Sequence, residues 1–247
     1  MQKVKIFGVD VLAGKREELF GAAAERIGIG GAISTVNPEI LANSLENDEL
    51  RFALCDSLCI PDGVGVEMTL RRLGNLAERF PGVELGEALL SVFAVRLGII
   101  GGREGVAERA AKNLAEKYPS SSPVMTISGY GINNEDVIAA IREAKPDVVF
   151  VCLGSPKQEI FIKEIKDSCD GVLFVALGGA VDVYSGDKKR APRLFRALRC
   201  EWLYRIIKEP SRIKRLPKLV RYVRESRKKY GFHKKLGKIF KKGEKSA

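Results

Sequence analysis

The stretch Cys59-Ile60-Pro61-Asp62-Gly63-Val64-Gly65 closes an apolar run with a carboxylate set between a proline and two glycines. An aspartate there has no core to hide in, and glycines at 63 and 65 would let a ligand come close to the backbone. Two roles fit: a general base, or the N-cap of a helix starting at Gly-Val-Gly-Val-Glu. The chain has one histidine, His233, in a lysine-rich tail. Imidazole chemistry therefore has little material, and acid or base work falls to carboxylates. Five cysteines (55, 59, 152, 169 and 200) lie mostly in apolar contexts. Without a signal peptide they are expected to be buried thiols, and without a second close pair or further histidines no metal site is expected.

The elements that would hold Asp62 can be read from hydrophobic patterning. Short apolar, β-branched runs occur at 4–10, 32–37, 57–62, 95–102, 124–131, 147–154 and 172–179, with helical stretches between them. Near-continuous apolar strands alternating with helices predict an α/β fold, an open and mainly parallel sheet covered on both faces in the Rossmann manner. Asn37-Pro38 predicts a capped helix start, and Ser155-Pro156-Lys157-Gln158 predicts another, with Gln158 closing a capping box. Asn37, Asp62, Gly101-Gly102, Tyr130, Gly154-Ser155 and Gly178 to Asp182 then all fall where strands end and helices begin, the edge at which open α/β sheets bind ligands. No GxGxxG follows the first strand, and neither a Walker motif nor GxSxG is present. Dehydrogenase, P-loop and hydrolase readings lose their markers, and the patterning alone stops at an α/β enzyme with an anionic ligand.

Charge is unevenly placed. Residues 186–247 hold 23 Lys and Arg against 5 Asp and Glu, while residues 1–185 hold 19 against 26, within a net charge of +11. The basic end calls for a polyanion. Its apolar residues recur at helical spacing (Leu194, Leu198, Trp202, Ile206, then Ile213, Leu216, Val220, Val223), and Pro210 and Pro217 break it into short helices. Cations around Leu, Ile, Trp and Tyr suit a helix lying on anionic lipid; the plainer reading packs the stripe on the body. A nucleic-acid partner is not expected, since base-stacking aromatics and recognised modules are missing. The opening MQKVKIFGVDVLAGKREE lacks the apolar core of a signal peptide, and no run reaches roughly eighteen uncharged apolar residues. A cytoplasmic protein attached peripherally to the inner face of the plasma membrane is expected. It would comprise an α/β domain at 1–190, a basic appendage at 191–230 and a disordered lysine-rich tail at 231–247.

Taken in order, TVNPEIL (with Thr35 and Asn37), IPDGVGV (Asp62), ERFPGVEL (Arg79), LGIIGGREGVAERAAKNL, the GYG of 129–131, GSPKQE (Gln158), GGAVDVYSGDKKRAP (Asp182) and EWLYRIIKEPSRIKRL give the sequence a resemblance to the WecG/TagA/CpsF family of bacterial glycosyltransferases, from about residue 4 to 220. The resemblance implies an inverting, metal-independent transfer of a sugar, commonly N-acetylmannosamine, from a UDP-sugar to undecaprenyl-diphosphate-linked N-acetylglucosamine, in cell-surface polymer synthesis of the wall teichoic acid kind. By motif, Asp62 would be the general base. Thr35 and Asn37 would line the pocket beside it, and Gln158 would hold the donor sugar or its phosphate. Gly102, Tyr130, Ser155 and Asp182 would contact nucleotide and sugar, and Arg79 would stabilise the leaving group. Arg205, Arg212 and Arg215 of the appendage would clamp a diphosphate. No cofactor is implied, the UDP-sugar being a substrate. Glu84 stands where the family pattern suggests aspartate. UDP-glucose or UDP-N-acetylmannosaminuronic acid are alternative donors, and a non-enzymatic membrane- or nucleic-acid-binding protein is the distant alternative. A homo-oligomer in solution that yields an active monomer on the membrane is a further expectation.

Overall fold

The first apolar run does not make one strand. In the computed structural model, which describes residues 1–192, 195 and 201–231, β1 (Gln2–Ile6) and β2 (Val9–Ala13) form an antiparallel hairpin. Its loop is Phe7-Gly8, with φ of 52° and 92°, the pair of positive values a two-residue hairpin turn needs. The strand expected over 4–10 straddles that turn. Phe7 tolerates the conformation because its ring is buried against the C-terminal helix, as described below.

The remaining strands are β3 (Gly31–Val36), β4 (Leu58–Pro61), β5 (Arg96–Gly101), β6 (Ser122–Ile127), β7 (Val148–Cys152) and β8 (Leu173–Ala176). They make one eight-stranded sheet in the order β1-β2-β4-β3-β8-β7-β5-β6, parallel everywhere except the hairpin. Every residue of β7 and β8 is buried, as expected for central parallel strands covered on both sides.

Alternation along each strand sorts the helices. α1 (Arg16–Ala24), α5 (Gly82–Val92), α6 (Val106–Lys117) and α9 (Ala180–Tyr184) share one core with Leu12, Ile33, Ile60, Ile99 and Phe150. α2 (Pro38–Asn43), α3 (Asp48–Cys55) and α4 (Val64–Arg72) pack with Val9, Val11 and Val36 on the other face, continued by α7 (Asn134–Ala144) and α8 (Lys157–Ile165) with Val149 and Val151. Thus β5 and β8 send their helices to one face, and β3, β4 and β7 to the other. Between β3 and β8, and between β7 and its neighbours, the departing helices diverge to opposite faces, the topology at which open α/β sheets bind ligands at the carboxyl edge. Cys59, Cys152 and Cys169 are buried free thiols and Cys55 is exposed; burial pushes the Cys152 thiol up to about 12. Cys200 and His233 lie outside the described residues.

Past the sheet come α10 (Glu201–Lys208), a 3-10 turn at Pro210–Arg215 and α11 (Leu216–Tyr230), with Pro210 and Pro217 each at the first turn of its element. α11 docks on α2, α4 and the hairpin. Tyr222, 2% exposed, donates its hydroxyl proton to Thr69 Oγ1 at 2.9 Å, and its ring meets that of Phe7 edge-on at 5.6 Å. Tyr230 lies 5.8 Å from the same ring and accepts from the Phe7 N–H at 2.7 Å. The docking face is Tyr222, Ser226 and Tyr230. The stripe read from the sequence points elsewhere: Val220 is 65% and Ile213 53% exposed, with Trp202 and Val223 also at the surface. Four residues of the stripe are thus at the surface, while Ile206 and Leu216 are half-buried; Leu194 and Leu198 and the tail beyond Gly231 fall outside the described residues.

Candidate active site

Asn37 and Asp62 follow neighbouring strands, and the Asp62 N–H donates to the Val36 carbonyl at 2.8 Å, which extends the β3/β4 pairing by one residue. Asn37 caps α2, its Oδ1 accepting from the Ile40 N–H at 3.0 Å. Asp62 does not occupy the cap of α4. That position falls on Gly63, at φ 94°, and the half-buried aspartate stands one residue before it. Each glycine there has a structural reason. A Cβ on Gly65 would stand 2.6 Å from Pro38 Cγ, so its absence lets the starts of α2 and α4 touch, whereas Gly63 is suited by its φ of 94°.

Arg79 reaches the same end of the sheet by backbone anchoring on either side. Glu78 N–H donates to Gly14 O at 3.0 Å and Phe80 N–H to Pro61 O at 2.7 Å, which sets the half-buried Arg79 beside the Pro61-Asp62 pair. Thr35, 6% exposed, donates its hydroxyl proton to the Ala176 carbonyl at 3.0 Å and so adds a side-chain tie between the paired strands β3 and β8 at their carboxyl ends. A Cβ on Gly82 would lie 2.9 Å from Thr35 Oγ1, which brings the start of α5 to this point. The first turns of α2, α4, α5, α6 and α8 all open on this edge, and their backbone N–H groups favour an anion.

On the β7 side, α8 starts at Lys157 with Pro156 at its cap, so the Ser155/Gln158 capping box does not form. Gln158 is the second helical residue and turns inward, 2% exposed. Its Oε1 accepts from Gly178 N–H at 2.9 Å, and its Nε2 donates to Glu159 Oε1 at 2.9 Å. It joins α8 to the β8–α9 turn, a connection the sequence did not announce. Glu159 is 3% exposed and burial pushes its carboxyl above the usual range. The Ser155 hydroxyl faces that carboxyl without a hydrogen bond of regular geometry. Gly102, at φ 75°, accepts from Gly129 N–H at 2.8 Å, and Lys157 Nζ donates to Gly129 O at 3.2 Å. Tyr130 in that loop is 72% exposed, at the rim.

Asp182 opens a chain of ion pairs into the appendage. Lys188 Nζ lies 2.8 Å from Asp182 Oδ2 and 3.2 Å from Glu209 Oε1, and Glu209 Oε2 accepts from Arg212 Nε at 2.6 Å. Burial alone would raise the Glu209 carboxyl, but the hydrogen bonds from Arg212 and Lys188 outweigh it and hold the group low. Arg215 lies 3.5 Å from Glu39, two residues past Asn37. Arg205 lies on α10. Arg190, before the appendage, pairs with Glu84 in the first turn of α5, and Glu84 also binds Arg16. The glutamate noted as a departure from the family pattern thus anchors the chain entering the appendage. Among the described residues no group of three or more His, Cys, Asp or Glu side chains is placed to hold a metal, and no helix is long and apolar enough to cross a membrane.

The fold and this edge define a doubly wound α/β protein whose polar side chains and helix starts gather at the carboxyl end of the sheet. Comparison with known proteins is more specific: residues 4–235 match the family described as "Glycosyl transferase WecG/TagA/CpsF family", and the chain belongs to it. It is 34% identical over 216 residues, covering 84% of each chain, to the N-acetylglucosaminyldiphosphoundecaprenol N-acetyl-beta-D-mannosaminyltransferase of Bacillus subtilis (strain 168). A protein of the same name from Staphylococcus aureus (strain MW2) is 35% identical over 190 residues, 74% of each chain. The protein is a glycosyltransferase.

Proposed function

We propose that the protein transfers N-acetylmannosamine from its UDP conjugate to N-acetylglucosaminyl-diphosphoundecaprenol, inverting the anomeric carbon without a metal ion. The acceptor and sugar follow from the names carried by relatives that cover most of both chains. The observation that carries the mechanism is the gathering of Asp62, Asn37, Thr35 and Arg79 at one end of β3 and β4, beside helix starts that favour a diphosphate.

In this reading Asp62 takes the proton of the acceptor hydroxyl as its oxygen attacks the anomeric carbon from the side opposite UDP. The bond to the UDP oxygen breaks as the new glycosidic bond forms, so the leaving group gains negative charge. Arg79 and the appendage arginines Arg212 and Arg215 offset that charge electrostatically, with Arg205 assigned to the same clamp. Gln158, with both ends of its amide engaged, acts by fixing the Gly178 turn rather than by moving protons. Gly102, Tyr130, Ser155 and Asp182 border the donor. The acceptor is lipid-linked, and the exposed Trp202, Ile213, Val220 and Val223 among Arg and Lys support seating of α10 and α11 on an anionic membrane.

Transfer from a panel of UDP-sugars to a short-chain lipid-diphosphate acceptor, run with EDTA and with the product linkage read by NMR, tests the reading. The expected result is one preferred donor, UDP-N-acetylmannosamine, full activity in EDTA and an inverted linkage. A metal requirement, or retention of configuration, would overturn the mechanism.

A further inference from the structure

The ion-pair chain from Asp182 to Arg212 is not accounted for by stability. Its members are partly open to solvent, with Lys188 46%, Glu209 34% and Arg212 21% exposed, and ion pairs this accessible contribute little. Its geometry is informative instead. Glu209 presents one oxygen to Lys188 at 3.2 Å and the other to Arg212 at 2.6 Å, which is how an ammonium and a guanidinium share the oxygens of a phosphate.

The two cations come from different parts of the chain. The Lys188 N–H donates to Asp182 O at 2.8 Å, which fixes that residue to the end of α9 below the β8 edge. Arg212 lies in the 3-10 turn of the appendage.

We propose that Lys188 and Arg212 form a two-cation seat for the substrate diphosphate, and that Glu209 fills it until the diphosphate arrives. This rests on the glycosyltransfer reading above and adds Lys188 as a phosphate-binding residue and Glu209 as an internal competitor. Filling the seat with a diphosphate bridges body and appendage, so donor binding and placement of the appendage are coupled through the same two side chains.

The test is equilibrium binding of UDP, inorganic pyrophosphate and uridine to the full chain by calorimetry, with Lys188→Met, Lys188→Arg and Glu209→Gln. Lys188→Met is expected to weaken UDP and pyrophosphate by about ten- to a hundredfold, the worth of one charge-assisted hydrogen bond, and to leave uridine unchanged. Lys188→Arg retains most of the affinity, which separates loss of charge from loss of fold. Glu209→Gln tightens both phosphate ligands severalfold by removing the competitor. Unchanged pyrophosphate affinity in Lys188→Met, in an enzyme that still transfers sugar, would remove the seat and leave the glycosyltransfer reading standing. Weakened binding in Glu209→Gln would make Glu209 a structural clasp and overturn its role as competitor. A wild-type chain that binds neither UDP nor pyrophosphate and transfers no sugar would overturn both.

Discussion

Glu159 is a buried carboxyl whose one good partner is the amide of Gln158. Its folded-state pKa lies above the ordinary value of 4.5, so the unfolded chain loses this proton at lower pH than the folded one. Below the ordinary glutamate range both states are protonated and the group is neutral to stability. As pH rises through that range and up to the folded value, the native state is increasingly destabilised by a charge it holds poorly. Glu159→Gln should therefore gain stability relative to wild type as pH rises from the ordinary glutamate value of 4.5 towards the raised folded value, read by urea unfolding at a series of pH values. A pH-independent difference would contradict the burial argument. Sequence legibility at this scale is mixed. The Asn37 cap can be read because Asn-Pro before a helical pattern has one common use. Gln158 reads as a capping residue and is not one, because nothing in GSPKQE shows that the helix begins at Lys157 rather than at Pro156. The partner that decides its role, Gly178, is twenty residues away.

At the scale of elements, the parallel strands are legible because continuous apolar runs of this length, bounded by glycine and alternating with helical patterns, seldom form anything but buried strands. The hairpin is not legible. Phe7-Gly8 is not among the Asn-Gly or Asp-Gly pairs that announce a two-residue turn, and the apolar run continues through it. What permits phenylalanine there is tertiary: its ring packs with Tyr222 and Tyr230 from the far end of the chain. The same contact defines how the appendage is held. Tyr222→Ala removes a fully buried ring and should cost about 3–5 kcal/mol of α11 docking, while Tyr222→Phe, losing the hydroxyl's bond to Thr69 and its longer one to the Gly65 carbonyl at 3.4 Å, should cost about 0.5–1.5 kcal/mol. Limited proteolysis near Pro210–Arg215 is the readout: cleavage is expected to accelerate strongly in the alanine variant and weakly in the phenylalanine variant. Equal protection in all three would mean that the aromatic cluster does not hold the helix.

The whole molecule joins an acidic body, net −7 over residues 1–185, to an end that is net +18. Charge asymmetry is plain in the sequence, but which face of α11 stays outside is not, since both Val220-Val223 and Tyr222-Tyr230 recur at helical spacing. Docking through the tyrosines leaves the valines at the surface among Lys218, Arg224 and Arg227. Val220→Glu with Val223→Glu should therefore reduce flotation with anionic vesicles severalfold while the thermal transition stays within a few degrees. Unchanged flotation would move the contact to another surface. Whether Asp62 is the base of a metal-independent glycosyltransfer is decided by comparing turnover and UDP-sugar binding in Asp62→Asn with wild type. The expected result is a fall in kcat of about 10²–10⁴-fold with the UDP-sugar Kd unchanged. Turnover within a few-fold of wild type would contradict it.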